Sequence, residues 1–166
     1  MDEMFRRLDA SYGDEWFASG NEPSFQIPWI YNWAGAPYKA QQVIRRILNE
    51  QYSSRVNGLP GNDDLGSMGA WYVFASIGLF PEIPGVGGFS VNSPVFRKIV
   101  LHLPEGDVII KGGDEKKEYI HSLSLDGKKM EGTWIDWSDL YRGATLEYKL
   151  SGKPDKTWGT RIAPPS

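Results

Sequence analysis

The sequence predicts an α+β fold in which part of a double-layered helical toroid is followed by an antiparallel β sheet or sandwich. Apolar residues recur at helical spacing through residues 1–85, whereas beyond Pro84 and Gly85 short apolar and polar runs alternate. The chain has 166 residues, of which 40% are hydrophobic and 23% are charged. This composition is typical of a folded protein and excludes a disordered tail.

Four segments of the first half have their apolar residues at helical spacing. Residues 1–8 and 37–54 combine an apolar face with a polar face, which is typical of helices with one solvated side. Residues 24–34 and 66–79 are apolar on all sides, which indicates burial. This alternation is the pattern of the outer and inner rings of a helical toroid, and four helices form only part of such a ring.

We place a domain boundary near residue 85, between a helical segment at 1–85 and a β-strand module at 86–166. The run Pro84-Gly85-Val86-Gly87-Gly88 breaks the helical pattern at this point. The predicted strands are residues 98–103, 107–111, 118–125, 133–137 and 145–150. Short turns that contain glycine, such as Asp126-Gly127, separate them and favour antiparallel pairing.

Charge and composition exclude several classes of function. The formal charge of −3 argues against a nucleic-acid partner, which would require basic contacts to phosphates. Cysteine is absent, so the chain has no disulfide, thiolate metal site or cysteine nucleophile. No long apolar run or signal peptide is found, so we expect no membrane partner and no targeting signal in this segment. The seven tryptophans fit either a dense core or a sugar-facing surface.

An acidic loop flanked by glycine precedes each of the two wholly apolar segments. The loops are Gly20-Asn21-Glu22-Pro23 and Gly61-Asn62-Asp63-Asp64-Leu65-Gly66. Because the inner helices of a toroid run parallel, both loops would open at the same end, where their carboxylates can converge. Oxygen ligands without neighbouring His or Cys favour a hard cation, and we expect calcium. The alternative is that Asn21 and Asn62 are caps or turn residues and that the acids interact with the helix dipoles.

Several longer motifs occur in the order and spacing of a known family. In the helical half they are Gly20-Asn21-Glu22-Pro23-Ser24, Ile27-Pro28-Trp29-Ile30-Tyr31, Gly58-Leu59-Pro60-Gly61-Asn62-Asp63-Asp64-Leu65-Gly66 and Ala70-Trp71-Tyr72-Val73-Phe74. In the second half they include Asn92-Ser93-Pro94, Trp134-Ile135 and Lys153-Pro154-Asp155-Lys156-Thr157-Trp158-Gly159. Together they resemble glycoside hydrolase family 92, the calcium-dependent exo-α-mannosidases, over nearly the whole chain.

The resemblance implies an inverting glycosidase with an N-terminal β-sandwich, an (α/α)6 catalytic barrel and terminal strands, of which this chain would be the C-terminal portion. It implies that Asp64 is the general base, and it places Asn62 where many members carry a second acid, so both are candidate catalytic residues. Asn21 and Glu22 match residues of the calcium site, to which Asp64 would also lie close. We rank Asp63 below Asp64 as a candidate for the general base.

The family's catalytic acid is a glutamate upstream of the matching region. No residue before Glu22 has its motif, and Glu15 is a candidate only by default. Ser67 and Gly69 stand where many members have Gln and Ser, and with Asn62 they lower the expected charge and hydrogen bonding around the base.

The function that the resemblance implies is calcium-assisted hydrolysis of terminal α-mannosides of glycans by a secreted or periplasmic parent enzyme. The segment alone, without the acid, need not retain this activity. The alternative is a non-catalytic carbohydrate-binding fragment or a structural and interaction fragment. In either case we expect open apolar faces on residues 24–34 and 66–79, which would contact the missing N-terminal part or a second copy of the chain.

Overall fold

The computed structural model describes residues 1–11 and 13–165, which form a helical first half and a second half of β strands. Helix α1 spans Pro37–Glu50 and helix α2 spans Ser67–Ile77. Short 3₁₀ helices lie at Met4–Arg6, Glu22–Ser24, Ile27–Asn32 and Trp137–Asp139. The strands are β1 Leu79–Phe80, β2 Gly88–Val91, β3 Lys98–Leu103, β4 Gly106–Lys111, β5 Tyr119–Leu125, β6 Lys128–Lys129, β7 Trp134–Asp136 and β8 Ala144–Ser151.

Helix α1 confirms the amphipathic helix predicted at 37–54. Pro37 lies in its first turn, where a proline removes no helical hydrogen bond, and its apolar face is buried in the core. The helix ends at Glu50, four residues before the predicted end, because the chain then turns back on itself. The main-chain N–H of Ser53 donates to the carbonyl of Gly58 at 2.9 Å and closes this turn.

The helices predicted at 1–8 and 24–34 are wrong as α helices. The first segment forms only the 3₁₀ turn Met4–Arg6, because its main chain instead binds the segment that follows: Phe17 N–H donates to the carbonyl of Met4 at 3.0 Å. The second begins where the 3₁₀ turn Glu22–Ser24 ends and contains one further 3₁₀ helix, Ile27–Asn32. Pro28 lacks the N–H that a continuous α helix would bond to the carbonyl of Ser24, which favours short turns.

Helix α2 confirms the helix predicted at 66–79. Its apolar pattern alone indicates burial on all sides, but one apolar face is open, as we expect for this chain. Gly66 and Gly78 flank the helix with left-handed φ values of 90° and 82°. Trp71 is buried, whereas Tyr72 is 40% exposed and Val73 is 56% exposed. An apolar face of α2 is therefore open to solvent, and the partial toroid stays a prediction.

The strands form two sheets. A five-stranded sheet has the order β3-β4-β8-β5-β6, and a three-stranded antiparallel sheet has the order β1-β2-β7. The five predicted strands correspond to β3, β4, β5, β7 and β8, with ends that differ by no more than one residue. The prediction of antiparallel sheets holds for every pair except β4 and β8, which run parallel. Asp126 and Gly127 have φ values of 48° and 76° and form the predicted hairpin turn.

Two hydrophobic clusters lie on either side of β1. One gathers residues of the helical half, from Phe5 to Phe80, and the other gathers residues of the strands, from Leu79 to Trp158. Successive residues of a strand face opposite sides, so Leu79 and Phe80 enter different clusters. The domain boundary near residue 85 stays a prediction.

Two polar side chains of α1 join the helical half to the strands. Gln41 Oε1 accepts a hydrogen bond from the main-chain N–H of Ile120 at 3.0 Å. The guanidinium of Arg45, which is 2% exposed, donates to the carbonyls of Asp114 at 2.8 Å and Glu115 at 3.1 Å, and to Ser93 at 3.3 Å. Within the described residues, no helix is long and apolar enough to cross a membrane.

Candidate active site

The two acidic loops, which are forty residues apart in the sequence, meet at a pair of glycines. A Cβ on Gly20 would lie 2.8 Å from the carbonyl carbon of Pro60 and 3.0 Å from the Cα of Gly61. A Cβ on Gly61 would lie 2.9 Å from the Cα of Gly20. The main chains are therefore in direct contact, and only glycine allows so close an approach. Asn21 and Asn62 directly follow these glycines, so the loops start their acidic stretches side by side.

The first loop leads into the 3₁₀ turn Glu22–Ser24. The N–H of Ser24 donates to the carbonyl of Asn21 at 2.9 Å, and the N–H of Phe25 donates to the carbonyl of Glu22 at 3.0 Å. The side chains of Asn21 and Glu22 are exposed, and Asn21 makes no side-chain capping hydrogen bond. Both side chains are thus available to a ligand. Asn21 makes no capping hydrogen bond with its side chain, so of the two alternatives for Asn21 the cap is wrong and the turn residue is confirmed.

The second loop has an unusual backbone where it enters α2. Asp64, Leu65 and Gly66 have successive φ values of 48°, 59° and 90°, a left-handed conformation that costs free energy at residues other than glycine. Such strain is often found at functional sites, where the surrounding structure maintains it. Leu65 is fully exposed, so its left-handed conformation is not explained by burial of its side chain.

Asp63 and Asp64 have different environments, although they are neighbours. Asp63 Oδ1 accepts a hydrogen bond from the N–H of Gly69 at 3.1 Å, and its carbonyl accepts one from Met68 N–H at 3.1 Å. Asp63 therefore caps α2, the role that the alternative assigned to an asparagine. Asp64 lies in the strained turn and is half-buried. This difference supports ranking Asp64 above Asp63 as a reactive carboxylate.

A group of packed aromatic side chains lies near Asp63. The ring of Tyr52 stacks on Trp71, with centroids 5.9 Å apart and planes 10° apart, and its centroid lies 5.1 Å from that of Tyr72. The hydroxyl of Tyr52 donates to the carbonyl of Met68 at 3.3 Å. Burial, and to a smaller extent the charge of Asp63, raises the pKa of Tyr52, so this hydroxyl stays protonated.

The side-chain oxygens of the two loops are of the kind that binds calcium, but there are too few of them to complete its coordination. Asn21, Glu22 and Asp64 offer amide and carboxylate oxygens, which are the ligands that calcium prefers. Within residues 1–11 and 13–165, no three His, Cys, Asp or Glu side chains are grouped so that they could hold a metal ion. Calcium takes six to eight oxygens, so an ion at these loops would need further ligands from water, substrate or other segments.

A cavity lies beside the first acidic loop. It has a volume of about 470 Å³, and its lining includes Asp9, Ser19, Asn21, Gln51 and Pro60. Glu15, the default candidate for the acid, is exposed.

Sequence reasoning found the acidic residues but missed the side chains that hold their loops. Ser19 and Gln51 are joined by a hydrogen bond of 3.1 Å, and neither belongs to a motif quoted for the resemblance. The sequence offers one feature that could have predicted the contact between Gly20 and Gly61, which is that each glycine immediately precedes an asparagine. No sequence feature predicts the hydrogen bond between Ser19 and Gln51.

Comparison with known proteins identifies the family. The sequence profile described as the glycosyl hydrolase family 92 catalytic domain matches residues 1–152. A protein of Arthroderma benhamiae described as an uncharacterized secreted glycosidase is 34% identical over 168 residues, which cover 96% of this chain and 22% of that protein.

Solved structures agree with this result. A family GH92 α-mannosidase of Bacteroides thetaiotaomicron, solved in complex with mannoimidazole, is similar with a TM-score of 0.85 and 31% identity over 89% of this chain. A second structure from the same organism, described as a family GH92 inverting mannosidase, has a TM-score of 0.82 and 30% identity over 87% of this chain. The chain spans about a fifth of the length of these relatives.

The profile match covers most of the chain, and two of the motifs that carry the resemblance lie on the loops that the structure brings together. The chain therefore belongs to glycosyl hydrolase family 92.

Proposed function

We propose that this chain is the C-terminal part of an inverting, calcium-dependent exo-α-mannosidase that hydrolyses terminal α-mannosides of glycans. The observation that carries the proposal is the direct contact of Gly20 with Gly61, which brings the Asn21-Glu22 and Asn62-Asp64 loops to one place. Two similar structures are titled α-mannosidase or inverting mannosidase, which supports the substrate class.

In the proposed reaction Asp64 is the general base. Its carboxylate takes a proton from a water molecule, and the water oxygen attacks the anomeric carbon while the bond to the leaving oxygen breaks. An acid outside this chain donates a proton to the leaving oxygen, and the configuration at the anomeric carbon inverts. Asn62 lies in the same loop and would donate a hydrogen bond through its amide to the water or to a sugar hydroxyl.

We propose that Asn21, Glu22 and Asp64 contribute oxygen ligands to a calcium ion. When bound, the ion would supply Lewis-acid contacts to sugar hydroxyls. The chain's own residues keep the loops in register: Gly20 and Gly61 set their approach, and Asp63 fixes the second loop to α2 by accepting the hydrogen bond from Gly69.

The partial (α/α)6 barrel is also part of the proposal. The TM-score of 0.85 to a family GH92 α-mannosidase supports it, together with the helices α1 and α2 at two of the four predicted helical positions. A secreted or periplasmic location of the parent enzyme is supported by the fungal relative, which is described as secreted.

The second candidate function is a non-catalytic carbohydrate-binding or structural fragment. It is favoured by the open apolar face of α2, where Tyr72 and Val73 are exposed, because such a face fits association with another lobe.

Release of mannose from an α-mannoside, measured with and without calcium, distinguishes the two candidate functions. The chain is assayed together with the preceding part of the enzyme, as one polypeptide, and Asp64→Asn is compared with Asp139→Asn, which changes an exposed aspartate in the strand half. We expect calcium-dependent release that Asp64→Asn reduces by at least about a hundredfold and that Asp139→Asn leaves unchanged. Binding of the mannoside without release would favour the second function.

A further inference from the structure

Ser19 directly precedes the first acidic loop and is 6% exposed. Its hydroxyl oxygen lies 2.8 Å from the carbonyl oxygen of Leu8 and 3.1 Å from Oε1 of Gln51, and its single proton is shared between these two acceptors. The main-chain N–H of Ser19 also donates to the carbonyl of Leu8, at 3.4 Å. Ser19, which precedes the first acidic loop, is thus hydrogen-bonded both to the N-terminal segment and to the residue that follows α1.

Gln51 is a fixed partner because it continues the last turn of α1. Its main-chain N–H donates to the carbonyl of Ile47 at 3.0 Å. From Gln51 the chain runs through the closed turn at Ser53 and Gly58 to Pro60 and Gly61, where the second acidic loop begins. The hydrogen bond between Ser19 and Gln51 therefore joins the two chain segments that lead into the two loops.

This hydrogen bond and the glycine contact lie on the same side of the site. Ser19, Asn21, Gln51 and Pro60 all line the cavity of about 470 Å³. The glycine contact prevents the loops from approaching more closely, but it forms no hydrogen bond that would stop them from separating. The bond from Ser19 to Gln51 supplies that restraint one residue before Gly20.

We propose that Ser19 and Gln51 are positioning residues that hold the Asn21-Glu22 loop against the Asn62-Asp64 loop. The proposal rests on the proposed function, since it assigns these loops a shared ligand. Neither side chain contacts the sugar or the ion in this role. Their effect is to keep the carboxylates of both loops within the narrow geometry that a bound cation requires.

The test uses the full 166-residue chain and two readouts. The first is a nuclear Overhauser cross-peak between the α-protons of Gly20 and Gly61, which reports the loop contact whether or not calcium binds. The second is calcium affinity measured by titration calorimetry. The variants are Ser19→Ala, Gln51→Met, their double variant and Ser19→Thr, which keeps the hydroxyl. Ser76→Ala is the matched control, because Ser76 is a buried serine whose hydroxyl has no partner among the described residues.

We expect Ser19→Ala and Gln51→Met each to weaken the cross-peak and to lower calcium affinity roughly threefold to tenfold. The double variant should be no worse than Ser19→Ala, because Ser19→Ala removes the bonds to both Leu8 and Gln51 and leaves Gln51→Met no further bond between the two side chains to remove. Ser19→Thr should restore the cross-peak and the affinity, and Ser76→Ala should change neither. If Ser19→Ala fails to fold, Gln51→Met, at a half-buried position, carries the test.

An unchanged cross-peak in Ser19→Ala or Gln51→Met would overturn the proposal, and so would effects of the two substitutions that simply add. If the unsubstituted chain binds no calcium, the calcium part of the proposed function fails for this chain, and the cross-peak alone decides whether Ser19 and Gln51 hold the loops together.

Discussion

At the scale of single residues, two side chains that are adjacent in the sequence can have different roles because they point in different directions. Asp63 and Asp64 are adjacent, yet one caps α2 through Gly69 and the other lies half-buried in a left-handed turn. The sequence predicts that both loops are acidic and ranks Asp64 first through the family resemblance. It does not predict the capping by Asp63, because that depends on the φ values at Asp64, Leu65 and Gly66.

Glu82 is the clearest case of a buried carboxyl without a role in the proposed reaction. It is 7% exposed, and its Oε2 has no hydrogen-bond partner among the described residues. Burial raises the pKa of Glu82 from 4.5 to about 8. Between these values the folded chain keeps a proton that the unfolded chain has lost. The free energy of unfolding should therefore fall as the pH rises through this range and become level above it.

Glu82→Gln removes this titration. We expect the variant to be more stable than the unsubstituted chain at pH 8, on the order of a few kcal/mol, and to lack the decline between pH 5 and pH 8. Urea unfolding over this pH range measures the effect. Glu105→Gln, at an exposed glutamate, is the control and should leave the decline in place. A parallel pH profile for Glu82→Gln would contradict the assignment of the decline to Glu82.

Gly61→Ala tests the contact between the loops. Its Cβ would lie 2.9 Å from the Cα of Gly20 and would overlap the Gly20 carbonyl, so main chain must move against main chain. We expect a loss of about 1–3 kcal/mol in the free energy of unfolding and a loss of calcium affinity. Gly152→Ala is the matched control, because no atom lies within 4 Å of its added Cβ. Equal stability of the two variants would show that the loops do not touch as described.

At the scale of elements, segments with a strong local pattern were predictable and segments that depend on distant partners were not. Helix α1 and the Asp126-Gly127 hairpin follow from helical periodicity and turn chemistry. The segment at 24–34 failed as an α helix because Pro28, and Pro23 just before it, outweigh its apolar pattern. The parallel pairing of β4 with β8 joins strands that are far apart in the chain, so no local signal predicts it.

Arg45 tests how α1 is attached to the strand half. Its guanidinium donates to main-chain carbonyls of Ser93, Asp114 and Glu115, and it is nearly fully buried. Arg45→Met would leave these carbonyls unpaired, so we expect a loss of about 2–4 kcal/mol in the free energy of unfolding. Arg55→Met, at an exposed arginine, should cost little. Chemical denaturation compares the two, and similar costs would contradict a structural role for Arg45.

At the scale of the whole molecule, the chain spans about a fifth of the length of its relatives, and it has an open apolar face. Helix α2 buries Trp71 and Ala75 but leaves Tyr72 and Val73 exposed. The sequence predicts this open face from the toroid pattern, because an inner helix needs neighbours on all sides.

We expect the open face of α2 to drive association when the chain is alone. The unsubstituted chain should form dimers or larger species at micromolar concentrations in sedimentation velocity, and Val73→Glu should shift it toward the monomer. Val56→Glu is the control, because Val56 is exposed on a loop. A compact monomer at all concentrations would contradict a functional apolar face.

The most direct test of the central claim is a crystal of the chain soaked in calcium chloride. The claim is that two distant loops form one divalent-cation site next to the catalytic base. The account predicts one oxygen-ligated ion that contacts Glu22 on the first loop and Asp64 on the second. Glu22 and Asp64 lying too far apart to share an ion, or calcium bound only elsewhere on the chain, would contradict it.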